Sequence, residues 1–296
     1  MPKLRGIFVA PYALAREALT RSDIGRVPEP MVMEEPESVA AFHEAGRIDA
    51  SSTPIYEMCT RALSRLIPEG GSVFDLGSGS GRFLAHLARH RPDVQMVGVD
   101  LSEPMLETGR QLLAEEGLED RVELRRADVT NLDDAVPDKV DVISCIWTLH
   151  QLPTAEHVDE CLREVAAVRR THGCAVFLAD FGRLKNPRTF PFMVSAASNV
   201  PRGVIADGVA SERAAWTFDE LTHALERAEL GHLHHALMSP LHVFQIHWAR
   251  AIGVTDDTDQ RLWREVQLPL HSRLETAIWW HQMRNIPGRK AASGDA

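Results

Sequence analysis

The sequence predicts an α/β fold in which helices cover both faces of a doubly wound, mostly parallel sheet. Between residues 71 and 180, short and nearly continuous apolar runs alternate with stretches of helical period. Glycines close the first apolar run directly before a helix, as in the strand-to-helix turns of this fold class. The chain has 296 residues, of which 44% are hydrophobic and 25% charged, so it can bury a full core.

The elements follow in order along the chain. Residues 1–50 are interrupted by prolines and contain short stretches of helical period, so we expect an N-terminal helical cap there. The core is expected to run from residue 51 to residue 180. Its predicted strands are 72–76, 94–100, 122–126, 139–145 and 174–180, and its predicted helices are 54–67, 82–91, 104–116 and 155–170.

After residue 180 the alternation breaks. Residues 181–216 contain three prolines and predict a lid or binding loop, because long interruptions inside a compact domain are usually functional. Residues 217–252 should complete the core, with a helix over 218–230 that begins at the Thr217/Glu220 capping pattern, and then a terminal pair of strands. Residues 253–296 are expected to form a C-terminal tail that is helical over 257–284.

Charge and cysteine content limit the classes of partner. The formal net charge is −10, whereas proteins that hold nucleic acid through phosphate contacts are more often basic, so no nucleic-acid partner is expected. No apolar run approaches the roughly 18 residues of a membrane span, which argues against a membrane partner. The four cysteines lack paired spacing, which favours a reducing cytoplasm. The Trp279-Trp280-His281 run allows a homodimer interface, with packing as the alternative.

The first predicted strand ends in the run Asp75-Leu-Gly-Ser-Gly-Ser-Gly81. Glycines there let a ligand approach backbone amides, and the following helix N-terminus favours negative charge. Position 82 is Arg, so the dinucleotide pattern GxGxxG is not met. Asp100 and Asp128 end or follow the next two strands, where they could accept hydrogen bonds from ribose hydroxyls and an adenine amine. We expect these three acids to share one crevice.

From Gly71 to Asp180 the chain resembles the class I S-adenosylmethionine-dependent methyltransferases, and the likeness extends more weakly to Arg250. The resemblance implies S-adenosylmethionine as the cofactor and a seven-stranded sheet with an antiparallel terminal strand. It also implies in-line methyl transfer, for which a small molecule or short peptide is the expected acceptor. The residues expected at the cofactor are Asp75, Gly77, Ser78, Gly79, Gly81, Asp100, Leu101, Met105, Asp128, Val129 and Cys145.

On the acceptor side, His150 is the candidate general base, with a packing or capping role as the alternative. The acceptor atom, oxygen, nitrogen or carbon, is left open. No metal ion is expected, although His232, His234 and His242 could share a face of the terminal strands. The residues expected at the acceptor are Tyr56, Trp147, Phe181, Arg183, Phe192 and Met193, with packing of the lid as the alternative. Either Arg183 or Arg188 is available for an acceptor carboxylate.

Two other classes of protein share parts of this pattern. A nicotinamide-dependent oxidoreductase would also use a glycine-rich turn, but the early third glycine and the additional Asp128 argue against it. A protein that binds S-adenosylmethionine without transferring its methyl group, as a regulator or as the catalyst of another rearrangement, would keep every cofactor-binding residue.

Overall fold

The structure, a computed structural model, describes residues 3–21, 25–46, 53–195, 202–254 and 283–286. Its helices are α1 (Lys3–Leu19), α2 (Pro36–Ala45), α3 (Thr53–Ser64), α4 (Arg82–His90), α5 (Glu103–Glu116), α6 (Ala155–His172), α7 (Thr189–Ser195), α8 (Arg202–Ala214) and α9 (Phe218–Arg227). Its strands are β1 (Ser72–Leu76), β2 (Gln95–Asp100), β3 (Val122–Arg126), β4 (Val142–Ile146), β5 (Ala175–Phe181), β6 (His234–Met238), β7 (Phe244–Ala249) and β8 (Met283–Ile286).

The strands form one sheet in the order β3-β2-β1-β4-β5-β7-β6-β8. The first five strands in this order are parallel to one another, and β7 runs antiparallel to both β5 and β6. The predicted doubly wound sheet with an antiparallel terminal strand is therefore confirmed. The chain order reverses on either side of β1, and in such sheets ligands bind at the carboxyl ends of the strands beside that point.

The eighth strand was not expected from the sequence. β8 pairs antiparallel with β6, with Ala236 opposite Asn285. This pairing satisfies backbone groups that an edge strand would leave open. The prediction of a helix over 257–284 is wrong at residues 283 and 284, and the rest of that prediction lies outside the described residues, as do the tail tryptophans.

Helices cover both faces of the sheet. One face carries α3, α4 and α5 over Val73 of β1, and the other carries α6 and α9 over Phe74 of the same strand. Because successive side chains of a strand point to opposite faces, both must be apolar, which explains the nearly continuous apolar runs in the sequence. The strand β1 is thus covered on both faces and flanked by β2 and β4 in the interior of the sheet.

The predicted cap and lid contact each other. The helix α1 is longer than the short helical stretches expected there and continues through Pro11. The lid contains α7 and α8, and the Glu17 carboxylate of α1 accepts hydrogen bonds from its Lys185 N–H (2.9 Å), Asn186 N–H (3.1 Å) and Thr189 hydroxyl (2.6 Å). The cap is thereby joined to the lid. In the ranges that the structure describes, none of the helices combines the length and apolarity that crossing a bilayer requires.

Candidate functional site

The glycine-rich turn (residues 77–81) joins β1 to α4 at the carboxyl edge of the sheet. Gly77 has φ +69°, and a Cβ atom there would lie 2.2 Å from Thr148 side-chain atoms, so the turn requires glycine. The Gly79 N–H donates to Asp100 Oδ2 at 2.8 Å. The hydroxyls of Ser78 and Ser80 are buried and have no hydrogen-bond partner among the described residues. Two buried hydroxyls without a partner among the described residues suit a polar ligand.

Asp100 closes β2 beside this turn. Besides the Gly79 bond, its Oδ1 accepts the Ser102 N–H at 2.9 Å. A carboxylate has about four lone-pair sites, so Asp100 can still accept the two hydroxyls of a ribose. Leu101 follows it half-buried, and Met105 is buried in the first turn of α5 with its N–H donated to Ser102 Oγ. The structure thus brings these predicted residues together next to the glycine-rich turn.

Asp75 lies in β1, and its carboxyl group is buried. Its Oδ1 accepts the Ser144 hydroxyl at 2.6 Å from the neighbouring strand β4. Burial raises the pKa of Asp75 to about 7, with the Asp100 charge adding to the shift and the Ser144 hydrogen bond opposing it. Among the described residues, no cation contributes to the pKa of this carboxyl group, and the ammonium of an amino-acid moiety could serve as its partner.

Asp128 and Val129 follow β3. Asp128 Oδ1 accepts both the N–H and the hydroxyl of Thr130, at 2.9 and 2.7 Å, and Val129 is buried beside it. The thiol of Cys145 in β4 is also buried, and its pKa is raised by a hydrogen bond with Cys161 and by burial. This thiol therefore packs in the core between β4 and α6.

His150 forms a buried pair with Asp180, the residue before the last of β5. His150 Nδ1 lies 2.7 Å from Asp180 Oδ1, and the His150 backbone N–H donates to Asp180 Oδ2 at 2.9 Å. Burial lowers the pKa of His150, but the charge and hydrogen bond of Asp180, with Glu29 and Asp207, raise it above its ordinary value. With Nδ1–H donated to the carboxylate, the lone pair of a neutral imidazole lies on Nε2.

The N-terminal segment between α1 and α2 covers this histidine. Glu29 Oε2 lies 3.8 Å from His150 Nε2. The Arg26 guanidinium donates to the carbonyls of His150, Leu152 and Pro153, at 2.6–2.7 Å, and stacks 4.0 Å from the centroid of the Trp216 ring. The segment therefore holds the turn that carries His150. Glu29 lies on the side of the imidazole from which a ligand could approach Nε2.

Three predicted acceptor residues form an aromatic cluster next to His150. The Trp147 ring stacks on Phe181 with centroids 5.7 Å apart and contacts Tyr56 at 5.5 Å. Phe181 also meets the His150 ring edge-on at 5.5 Å. Trp147 has φ +58°, which is strained for a tryptophan, and its buried Nε1–H has no partner among the described residues. The strained backbone and the unpaired Nε1–H of Trp147 are both typical of a side chain that is positioned to contact a ligand.

The lid residues divide into two groups. Phe192 and Met193 in α7 are half-buried, and the Phe192 ring lies 4.7 Å from the Tyr12 ring of the cap. Arg183 is buried and donates to the Ala215 carbonyl (2.7 Å) and to Glu220 (2.9 Å). In this geometry the Arg183 guanidinium ties the lid to α9, a different role from the binding of an acceptor carboxylate expected from the sequence.

The terminal histidines do not form the grouping considered from the sequence. In the described part of the chain, the ligand atoms of His232, His234 and His242 do not converge. His235 and His247 instead face each other across β6 and β7 with their Nδ1 atoms 2.7 Å apart, and burial lowers the pKa of both.

Sequence reasoning missed Asp180 and the two N-terminal residues that contact the His150 turn. Asp180 could have been found by the rule that selected Asp100, since both are acids at the carboxyl end of a predicted strand. Arg26 and Glu29 gave no such signal, because their partners are more than 120 positions away in the sequence.

Comparisons with known proteins relate this chain to methyltransferases. Residues 73–173 match the family model described as a methyltransferase domain. A phosphatidylethanolamine N-methyltransferase of Cereibacter sphaeroides is 34% identical over 128 residues, which are 43% of this chain and 59% of that protein. A 27-O-demethylrifamycin SV methyltransferase of Amycolatopsis mediterranei is 29% identical over 167 residues, covering 54% of this chain and 59% of that protein.

The solved structure of an O-methyltransferase family protein from Burkholderia thailandensis is similar with a TM-score of 0.50 and 17% identity, over 69% of this chain and 57% of that one. At this identity the similarity shows a shared fold. In both curated relatives above, the match to this chain covers about three-fifths of their length.

Proposed function

We propose that this protein, whose residues 73–173 match a methyltransferase domain, is of the class I S-adenosylmethionine-dependent type and transfers a methyl group to a hydroxyl of a small molecule. The proposal rests on one observation above all. A buried histidine oriented by a carboxylate, His150 with Asp180, lies at the ends of β4 and β5. Thr148, two residues before it, donates its hydroxyl to the Gly77 carbonyl of the glycine-rich turn at 3.2 Å. Hydroxyl acceptors are the class that needs such a base.

The described residues fit the donor. Asp100 would accept the ribose hydroxyls, Asp128 and Val129 would hold the adenine, and the glycine-rich turn with Asp75 would hold the methionine moiety. When bound, S-adenosylmethionine supplies a methyl group on a cationic sulfur. Backbone amides and carboxylates suffice for the charges of this donor, so the proposal involves no metal ion.

His150 would remove the acceptor proton. Its Nδ1–H is donated to Asp180, so its Nε2 lone pair would be available to take the proton of an acceptor hydroxyl. The oxygen would then receive the methyl group that the donor supplies, with the bond to the donor sulfur breaking and the sulfur leaving as a neutral thioether. The neighbouring aromatic residues Trp147 and Phe181 exclude water and would orient the acceptor, with the free Trp147 Nε1–H as a hydrogen-bond donor. Glu29 must separate from Nε2 for the acceptor to enter.

The relatives support a small molecule as the acceptor. They are named for phosphatidylethanolamine and for 27-O-demethylrifamycin SV, both small molecules. We place the reaction in the cytoplasm, since all four cysteines are buried as free thiols.

Calorimetry tests the donor half of the proposal. We expect S-adenosylmethionine and S-adenosylhomocysteine each to bind with about 1:1 stoichiometry, and Asp100→Ala to weaken both by at least about tenfold through loss of charged hydrogen bonds. The matched control is Asp141→Ala. Asp141 also accepts a backbone N–H, from Ser72 at 2.8 Å, but lies at the opposite end of the strands.

Unchanged affinity in Asp141→Ala together with the loss in Asp100→Ala would place the donor at the carboxyl edge. Binding of NAD in preference to both donor forms would contradict the proposal. Methyl transfer itself is measured with labelled donor and a metabolite extract. Donor binding without label in any fraction would favour the alternative of a protein that binds the donor without transfer.

A further inference from the structure

A second cluster of polar side chains lies where α3 crosses α4, and the proposed function does not use it. The ligand atoms of Glu57, His86 and His90 all lie within 4.8 Å of one another. Glu57 Oε2 is 3.0 Å from His86 Nε2 and 3.2 Å from His90 Nε2. The two histidines are four residues apart in α4, so both project from the same side of that helix towards α3.

The side chains are oriented as metal ligands are. His90 Nδ1–H donates to the His86 carbonyl at 3.0 Å, which leaves Nε2 directed at the cluster. Backbone carbonyls commonly fix the tautomer of a metal-binding histidine in this way. Glu57 Oε1 is held by Arg61, so Oε2 is the oxygen that faces both imidazoles.

Burial differs across the cluster. Glu57 is 5% exposed, whereas the His90 side chain is 39% exposed. The cluster therefore has a closed side at α3 and an open side at the end of α4. An ion could enter from the open side and keep a water molecule there.

We propose that Glu57, His86 and His90 bind one divalent transition-metal ion of the Zn²⁺ class, with water as the fourth ligand. Two imidazoles at positions i and i+4 of a helix with one carboxylate is a donor set that suits zinc and its neighbours. It does not suit Mg²⁺ or Ca²⁺, which take oxygen ligands. Small movements bring the three atoms to bonds of about 2.0–2.2 Å, because they already converge on one point.

The site has a structural consequence. Glu57 follows Tyr56, whose ring lies 5.5 Å from Trp147 and 6.3 Å from His86. A bound ion would fasten α3 to α4 and thereby fix the position of Tyr56 within the aromatic cluster. This role does not depend on which acceptor is methylated, or on methyl transfer at all.

The competing description is an ion-pair network in which protonated histidines and Arg61 neutralise Glu57. Calorimetric titration of the untagged protein with Zn²⁺ distinguishes the two. The metal site predicts about one high-affinity Zn²⁺ per chain and a rise in melting temperature with Zn²⁺ but not with Mg²⁺. His90→Gln and Glu57→Gln should each reduce Zn²⁺ affinity by at least about tenfold.

His223→Gln is the matched control, since His223 is an exposed histidine on α9 and its loss should leave Zn²⁺ affinity unchanged. A cooperative thermal unfolding transition, followed by circular dichroism without Zn²⁺, verifies that each variant is folded. No Zn²⁺ binding by the wild-type chain, or wild-type affinity in both ligand variants, would overturn the proposal. So would a loss confined to a His232→Asn/His234→Asn double variant, which would place the ion on the terminal strands.

Discussion

Asp180→Asn tests whether the buried pair acts in catalysis. The Asp180 carboxylate accepts three hydrogen bonds, from the His150 N–H (2.9 Å), from His150 Nδ1–H (2.7 Å) and from the Phe181 N–H (2.7 Å). Asparagine has one acceptor oxygen, so its amide nitrogen must face one side of this arrangement. The substitution therefore removes a charge and at least one hydrogen bond without changing the volume of the side chain.

Both orientations of the asparagine are harmful. With the amide nitrogen at the Oδ1 position, the imidazole reverses its tautomer, Nε2 carries the proton and the base is lost. With the nitrogen at the Oδ2 position, the His150 N–H is left unpaired in the interior, which costs about 1–3 kcal/mol. We expect kcat to fall by about 10²–10⁴, the usual contribution of a general base.

The pH profile separates catalysis from stability. Wild-type kcat should rise with pH as His150 loses its proton, with a midpoint above the ordinary histidine value because Asp180, Glu29 and Asp207 raise the pKa of His150. Without the Asp180 charge, burial lowers the pKa of His150, so any residual activity should rise at lower pH. Donor affinity should stay within about twofold of wild type, because His150 is not a donor ligand in this scheme.

A double variant gives the decisive comparison. If Asp180 acts by positioning His150, then His150→Gln and His150→Gln/Asp180→Asn should lose similar amounts of kcat. A rate for Asp180→Asn within about threefold of wild type, with the protein folded, would refute the reasoning. Equally, losses in the double variant that multiply would show that the two residues act independently.

Two further outcomes follow from the site. Burial holds the pKa of Asp75 at about 7, so donor affinity should increase with pH as this carboxyl ionises to pair with the donor ammonium. In Asp75→Asn that dependence should be weaker, as measured by calorimetry between about pH 6 and 8; equal slopes would contradict it. Replacing Phe192 and Met193 by Ala should raise the acceptor KM or abolish turnover while donor affinity stays within about twofold. Joint loss of donor affinity and thermal stability would instead assign these residues to the core.

The sequence predicted most of the sheet because local signals agree there. The apolar runs, the glycine-rich turn and the Thr217 capping box each depend on neighbouring residues, and the structure contains the capping box as predicted. The strand β8 was missed because only its pairing with β6 makes it a strand.

In the candidate site, the limit of sequence reasoning lies in contacts between distant elements. The pattern located His150 after the fourth strand, but its partner Asp180 is 30 positions away and becomes a neighbour only because β4 pairs with β5. Likewise, His86 and His90 show helical spacing in the sequence, whereas Glu57 joins them only through the crossing of α3 and α4.

The Glu17 carboxylate, which accepts hydrogen bonds from two backbone amides and a hydroxyl of the lid, has a consequence for how acceptor preference can change. The cap and the lid are separated by more than 160 positions, yet they bind as one unit above the sheet. Exchanging the lid alone with that of a relative would remove the Thr189 hydroxyl donor unless the new lid also carries one, and it would keep the two backbone donors only if the new lid follows the same path. Under the proposal that the lid lines the acceptor pocket, we expect a chimera with altered acceptor preference to fold well only when the cap and the lid come from the same parent.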